Sequence, residues 1–306
     1  MRQYFDIANS FTCLDAWQPG CWVNVECPDS DDFDFLTERL HIPDNVLGYA
    51  GDVDERPRVE RDDNLVLTIL RIPHADESSD RPLSTVPIGI ISGDGVLVTV
   101  CYYRTHIVSD FIAHSRARGI SVECTSTFVL RILYSSAFWF LEYLKLISAR
   151  VDEYTAQLEG SVRNDDLMAL MKLQQSLVYF NTSLRGNEVL IGRLHHVFTD
   201  NFDMDLLEDV EIEMKQALNT VSIYSEILSG TLDTFASVIS NNVNLVMKRM
   251  TSVTIVLMIP TLIASFYGMN VDIGLSDNPH AFWIIVGLAA VLTAGVFALL
   301  RHIRWF

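Results

Sequence analysis

The stretch that decides the fold lies near the carboxyl end, where the chain reads Ile259-Pro260-Thr261-Leu262-Ile263-Ala264-Ser265-Phe266-Tyr267-Gly268-Met269-Asn270. This run closes one apolar segment of membrane length, and a second such segment follows directly. Between them lies a polar turn, in which glycine leaves backbone carbonyls accessible and Asn270 adds a side-chain amide. A turn of this kind at a membrane surface can hold a cation through its water shell.

Two segments are long and apolar enough to cross a membrane. Residues 250–271 form a stretch of 22 residues without a charge, and residues 281–300 form one of 20. At about 1.5 Å per residue, each covers a hydrocarbon core. We therefore expect two transmembrane helices joined by an extracytoplasmic loop at 272–280. The length of both segments and their polar flanks disfavour the alternative, a pair of core helices in a soluble protein.

Cationic residues flank the two predicted spans on one side only. The loop between the spans carries no Lys or Arg, whereas the outer flanks carry Lys248, Arg249, Arg301, His302 and Arg304. The positive-inside bias predicts a multi-pass protein of the cell (inner) membrane with both termini in the cytoplasm, ending in a basic tail at 301–306. Neither span contains an Asp, Glu, Lys, Arg or His, which favours a passive pore over a proton-coupled carrier.

The net charge of −17 is confined to one part of the 306-residue chain. In residues 250–306, Arg301 and Arg304 balance Asp272 and Asp277, so the whole excess of negative charge lies in residues 1–249. An acidic portion of this size argues against nucleic acid as a partner and concentrates cations nearby.

One face of the first span is polar. Positions separated by alternating steps of three and four share one side of a helix. Here they are Asn244, Met247, Thr251, Thr254, Met258, Thr261, Ser265 and Gly268. In lipid, such a stripe must face water or a partner helix, so it is either a pore lining in a symmetric ring or a helix-packing seam. The polar turn at its end favours the pore.

The same face continues towards the amino terminus through mostly polar residues, beside an apolar stripe. This pattern predicts a single helix from about 203 to 267, roughly 100 Å long, of which 203–249 is a stalk. The polar positions are Asn219, Ile223, Glu226, Gly230, Asp233, Ser237 and Ser240, and the apolar ones are Leu218, Val221, Leu228, Leu232, Phe235 and Ile239.

The remainder of the chain predicts a mixed domain followed by helices. Residues 1–124 alternate short apolar runs with turn signals, which indicates an α/β domain. Its predicted strands are 65–72, 85–92 and 96–102, and its predicted helices are 32–40 and 107–117. Residues 125–202 predict an antiparallel helical pair, 128–158 and 165–195, packed beside the stalk. The predicted fold class is an α+β cytoplasmic domain followed by a long stalk helix and two carboxyl-terminal transmembrane helices.

Acidic residues crowd the start of the stalk. Asp205, Asp209 and Glu213 share one helical face, where like charges repel unless a cation lies between them. The alternative is a solvated helix start with favourable charge at its amino end. A second acidic run, from Asp29 to Asp34, is interpreted as a helix-capping loop. The pair His195 and His196 is either a soft-metal ligand pair or a solvent-facing helix end.

The chain resembles the CorA family of divalent-cation channels. The motifs that carry the resemblance occur in family order: Ser229-Gly230-Thr231-Leu232-Asp233, Ser240-Asn241, Asn244, Met247 and the run through Asn270. The resemblance implies a selectivity filter formed by Gly268, Met269 and Asn270. Asn244, Met247, Met250, Met258 and Thr261 fall where family pore residues lie, and with Thr251, Thr254 and Ser265 of the polar face they make up the predicted pore lining.

The resemblance also implies assembly and regulation. The family is a homopentamer with a cytoplasmic αβα-type funnel, in which acidic residues at subunit interfaces bind Mg²⁺ and hold the pore closed. Asp209 occupies the matching place on the stalk, and Asp76 is the expected partner from the neighbouring subunit. The predicted function is Mg²⁺ uptake driven by the membrane potential and gated by intracellular Mg²⁺, with no enzymatic activity.

The loop after Asn270 departs from the family pattern. It lacks a Met-Pro-Glu-like sequence, and Asp272 and Asp277 stand where an acidic attraction is expected. His280 favours Zn²⁺, Co²⁺ or Ni²⁺. Two alternatives therefore remain open: a transporter of those ions with the same fold, and a membrane-anchored oligomeric scaffold whose stripe only packs helices.

Overall fold

The structure is a computed structural model that describes residues 1–62, 64–76, 83–122, 124–160, 164–198, 202–269, 279–303 and 305, with only the backbone of 157–160. These residues form two compact units, Met1–Thr231 and Leu232–Phe306.

The first unit contains one seven-stranded mixed sheet. Its spatial order is β2-β1-β3-β7-β6-β5-β4, and β3 and β7 are parallel while every other neighbouring pair is antiparallel. The strands are β1 Arg2–Asp6, β2 Thr12–Leu14, β3 Trp22–Glu26, β4 Arg58–Asp62, β5 Leu65–Ala75, β6 Leu83–Gly93 and β7 Val96–Cys101.

The three predicted strands are present as β5, β6 and β7, and the turn between β6 and β7 uses left-handed backbone. Gly93 has φ 137°, and a Cβ there would lie 1.9 Å from the Asn64 carbonyl oxygen, so only glycine fits.

Strands β1 to β4 were not predicted. The strand β4 lies at an edge and consists of charged residues apart from Val59, which is how edge strands avoid pairing with other chains.

Seven α-helices complete the described part of the chain. They are α1 Ser30–Asp34, α2 Asp44–Gly51, α3 His106–Ala117, α4 Thr125–Gly160, α5 Asn164–Val197, α6 Met204–Tyr267 and α7 Ala281–His302. The predicted helix at 32–40 is α1 followed by a π-helical turn, Phe35–Arg39, and α2 was not predicted. Asp29 caps α1 by accepting from the Asp32 amide, as its interpretation as a capping residue requires.

Helices cover both faces of the sheet. Val23 and Val25 point to the face covered by the π-helical turn and α2, where they pack with Leu36 and Leu47. Alternate residues of the same strand point to the opposite face, towards α3 and α4. There, the ring of Trp22 lies 5.0 Å from that of Phe128, measured between centroids.

A buried polar network joins α5 to the sheet. The Asn187 side chain accepts from the Arg71 backbone N–H at 2.9 Å and donates to the Arg71 carbonyl at 2.7 Å. The Arg71 guanidinium donates to the hydroxyls of Thr85 and Ser183, each at 3.1 Å. Burial lowers the pKa of this guanidinium, so its hydrogen bonds offset a desolvation cost.

Helix α6 is 64 residues long and continuous through Pro260. It begins one residue later than predicted, because Asp203 acts as its N-cap and accepts from the Leu206 amide at 3.0 Å. Helix α7 extends two residues beyond the predicted span, to His302. By length and composition, α6 and α7 are the two candidate membrane-spanning helices of the described chain.

Candidate ion pathway and metal-sensing residues

The predicted pore-lining face of α6 is solvent-exposed in the isolated chain. Met247 is 59% exposed and Met258 64% exposed, which leaves large apolar side chains uncovered on an otherwise polar face. The other predicted lining residues are exposed as well: Asn244, Met250, Thr251, Thr254, Thr261 and Ser265. In a bilayer, such a face requires water or a partner.

Two threonines on this face present acceptors. The Thr254 hydroxyl donates to the Met250 carbonyl at 2.9 Å, and the Thr261 hydroxyl donates to the Leu257 carbonyl at 2.9 Å. Because each hydroxyl has one proton and two lone pairs, donation to the backbone leaves only its acceptor capacity free. A hydrated cation exposes water hydrogens, so acceptors are the groups that can bind its outer surface.

The chain leaves α6 at Gly268. Its amide still donates to the Ala264 carbonyl at 2.9 Å, and the Met269 amide donates to the Phe266 carbonyl at 3.4 Å. A Cβ at Gly268 would lie 3.1 Å from the Ala264 oxygen, so this position favours glycine. The carboxyl end of a helix carries partial negative charge, which attracts a cation. The third predicted filter residue, Asn270, lies outside the described residues, as do Asp272 and Asp277.

Asp209, the predicted metal-sensing residue of the stalk, borders a cavity of about 670 Å³ in the first unit. This cavity is also lined by Asp110 of α3, by Arg118 and by Arg131 of α4. The Arg131 Nε atom is buried without a hydrogen-bond partner among the described residues. The sequence contains no signal for this arrangement, because Arg118 and Arg131 lie about 80 to 90 positions before Asp209.

Asp76, the second predicted metal-sensing residue, directly follows β5 and is half-buried. It is not among the described residues that line the Asp209 cavity. Burial lowers the pKa of the nearby His74 imidazole, and the Asp76 carboxylate acts in the opposite direction. Within one chain, the described structure therefore does not place Asp76 and Asp209 in a common site.

The other candidate metal ligands do not form a complete metal site in the described part of the chain. Among the described residues, no group of three or more His, Cys, Asp or Glu side chains is placed to hold a metal ion. Glu211 pairs with Lys215 at 3.0 Å, and the rings of His195 and His196 lie 3.7 Å apart between centroids, tilted by 42°, at the end of α5. His280 precedes α7, where its carbonyl accepts from the Ile284 amide at 3.1 Å.

Comparison with known families identifies the protein class. A model of the CorA-like Mg²⁺ transporter proteins matches residues 17–302 of the chain. The chain belongs to this family. Members of the CorA family are ion transporters and not enzymes, and they are membrane proteins, in agreement with the two candidate spans.

Curated relatives agree with this assignment. The chain is 28% identical to the cobalt/magnesium transport protein CorA of Methanocaldococcus jannaschii, over 93% of this chain and 90% of that protein. It is 24% identical to the protein of the same name from Thermotoga maritima, over 82% of this chain and 73% of the relative.

Solved structures share the fold. The complete CorA magnesium transporter of Methanocaldococcus jannaschii matches with a TM-score of 0.86 at 22% identity, covering 100% of this chain and 99% of that one. The full-length CmaX protein matches with a TM-score of 0.73 at 15% identity, over 98% and 97% of the two chains. The predicted fold class, a mixed α/β domain followed by a long helix and a final apolar helix, is therefore confirmed.

Proposed function

We propose that the chain forms a homopentameric channel for hydrated divalent cations, with Mg²⁺ as its main cargo. Five α6 helices surround the ion path, and both termini lie in the cytoplasm. The membrane potential drives uptake, because it favours entry of a doubly charged cation into a negative interior. The observation that carries the proposal is the exposed polar face of α6, which ends at the Gly268 turn of a CorA-type chain.

In the proposed channel, the cation keeps its water shell in the pore. The acceptor oxygens of Thr254 and Thr261 receive hydrogen bonds from that shell, while Met247 and Met258 form apolar constrictions. At the mouth, Asn270 binds the shell through its amide, and Gly268 with Met269 leaves backbone carbonyls facing the axis. The membrane-anchored scaffold requires neither the amide nor these acceptors.

Regulation in the proposed channel uses Asp209 of one subunit and Asp76 of its neighbour. Two carboxylates across an interface repel when bare, and a bound Mg²⁺ offsets the repulsion and favours a closed, symmetric ring. This is a ligand that biases two states by its differential affinity for them. Within one chain, Asp209 lines the cavity of about 670 Å³ and Asp76 does not, which fits a site whose second carboxylate comes from another copy.

Co²⁺ is the second candidate cargo, because two relatives carry the name cobalt/magnesium transport protein. Zn²⁺ and Ni²⁺ rest on His280 alone. The experiment that tests the proposal is uptake into proteoliposomes under a negative interior potential, with Mg²⁺, Co²⁺, Zn²⁺ and Ni²⁺ supplied separately.

The variant Asn270→Ala tests the filter in the same assay, with Asn278→Ala from the same loop as the matched control. We expect Asn270→Ala to abolish Mg²⁺ uptake while the oligomer stays intact, because the amide that binds the water shell is lost. Asn278→Ala should keep its uptake. Equal uptake by Asn270→Ala and the parent protein would contradict the channel and favour the scaffold.

A further inference from the structure

The second unit contains an apolar groove between α6 and α7 that the ion path does not use. Its volume is about 640 Å³. Small side chains leave this space open, among them Ala264 of α6 and Ala290 and Ala294 of α7. Of the described lining residues, Thr293 is the polar one, and its hydroxyl donates within its own helix to the Ala289 carbonyl at 2.7 Å.

The groove faces away from the polar stripe of α6. Its lining residues Val256, Pro260 and Ile263 each follow a stripe residue by two positions. Two residues correspond to about 200° around a helix. If the stripe faces the pore axis, as the proposed function requires, the groove faces the hydrocarbon of the bilayer.

One end of the groove carries unpaired positive charge. Arg249 lies seven residues before Val256, on the same face of α6, and Arg301 lies four residues after Phe297 of α7. Both side chains are exposed, and neither has an ion-pair partner among the described residues. The short connection between α6 and α7 places both arginines at the same end of the helical pair.

A buried hydroxyl lies between this charge and the groove. Ser252 is one helical turn before Val256, on the same face of α6, and is 0% exposed. Its Oγ atom has no hydrogen-bond partner among the described residues. A buried hydroxyl without a partner costs free energy. Because this side chain has no open surface, it contributes no contact to a ligand in the groove.

We propose that this groove binds an anionic phospholipid. One acyl chain occupies the groove, and the phosphate lies against Arg249 and Arg301. The lining on α7 runs from Ile285 to Phe297, about 18 Å at 1.5 Å per residue, which suits a chain that spans half of a hydrocarbon core of about 30 Å. Unpaired arginines at the membrane surface select a negative headgroup.

Native mass spectrometry of the full-length protein, with added dioleoyl phosphatidylglycerol or dioleoyl phosphatidylcholine, tests the lipid site. We expect preferential retention of phosphatidylglycerol. The double variant Arg249→Gln/Arg301→Gln should lower that retention at least about fivefold and leave phosphatidylcholine unchanged. Ala290→Leu/Ala294→Leu, which fills the groove, should lower retention of both lipids, whereas the matched control Ala298→Leu should change neither.

Equal retention of the two lipids by the parent protein would overturn the proposal. So would undiminished retention of phosphatidylglycerol in both double variants, the result expected if a second copy of the chain fills the groove. The subunit number in each spectrum checks assembly, and the arginine variant tests the site even where the groove-filled variant fails to assemble. Lipid retention is measured without ion flux, so Asn270→Ala separates the two proposals: loss of transport with lipid retained leaves the groove assignment standing.

Discussion

Asn187 lies in the middle of the buried face of α5, where a leucine would ordinarily pack. Its side-chain amide forms two hydrogen bonds with the backbone of Arg71, 116 residues away along the chain, of the kind that a neighbouring strand would form. Sequence reasoning does not find this role, because an isolated Asn in a helix has no periodic signature. The pairing explains why a polar residue is tolerated at a position that is 0% exposed.

Replacing Asn187 by Leu should therefore destabilise the protein. The substitution leaves the Arg71 N–H without its partner and the Arg71 C=O with only the Ser136 hydroxyl, at 3.5 Å, at a cost of about 2–4 kcal/mol. We expect the apparent unfolding temperature in detergent to fall by about 5–10 °C. Asn181→Leu, on the same helix but partly exposed, is the control and should change it little. A loss of equal size in both variants would show that the Arg71 pairing is not the cause.

A second prediction at the residue scale concerns Asp209. Asp209→Lys places a fixed positive charge where the proposed site binds Mg²⁺, so gating should depend less on internal Mg²⁺, and the variant should resist proteolysis without Mg²⁺ better than the parent. Asp76→Lys should act in the same direction. Glu208→Lys, at an exposed position of α6 next to Asp209 but off the face shared by Asp205, Asp209 and Glu213, is the control. Channel current at graded internal Mg²⁺ measures the effect. An unchanged midpoint of inhibition in both Asp209→Lys and Asp76→Lys would show that these residues do not sense Mg²⁺. The acidic run would then be interpreted as a solvated helix start.

At the scale of elements, α6 has two opposite faces with different chemistry. Along its first half, the predicted apolar residues Leu218, Val221 and Leu228 are buried, while Asn219 and Glu226 are exposed. This alternation was predictable because helical periodicity is local in sequence. Strand β4 was not, because an edge strand made of charged residues lacks the period-two pattern.

Removal of two acceptor hydroxyls from α6 tests whether its polar face contacts the hydrated ion. Thr254→Val/Thr261→Val keeps the shape and β-branching of the side chains but removes two acceptors from each subunit. Loss of one hydrogen bond to the hydrated ion corresponds to about a fivefold decrease in Mg²⁺ uptake. Thr293→Val on α7, whose hydroxyl donates to the Ala289 carbonyl, is the matched control and should retain its uptake. Equal uptake by the Thr254→Val/Thr261→Val variant and this control would favour a packing seam over a pore lining.

At the scale of the whole molecule, one chain does not complete a channel. The exposed stripe of α6 and the large exposed apolar residues on α6 and α7 require partners or lipid on every side. The net charge of −17 keeps the acidic portion of the chain rich in counter-cations. These features are consistent with several copies arranged around one axis.

We expect native mass spectrometry in detergent to show a homopentamer. The need for a ring follows from the polar stripe, and the number five follows from the family resemblance. Spectra that contain only monomers or dimers, at protein concentrations where transport is active, would contradict the assembly. The variant Ser135→Trp fills the Asp209 cavity. It should weaken a subunit contact at Asp209 and leave the two candidate membrane-spanning helices unchanged. Its spectra should therefore contain fewer pentamers than those of the parent protein.

The sequence by itself determined the long helix, the two candidate spans, the polar stripe and the turn at Gly268. Each of these depends on hydrophobicity and periodicity within a few tens of residues, which are local properties. Only the tertiary structure decided the order of strands β1 to β4, the pairing of Asn187 with Arg71, the arginines beside Asp209 and the groove behind α6. Those features join side chains that are distant in the chain, and their positions follow from packing, for which a single sequence carries no periodic signal.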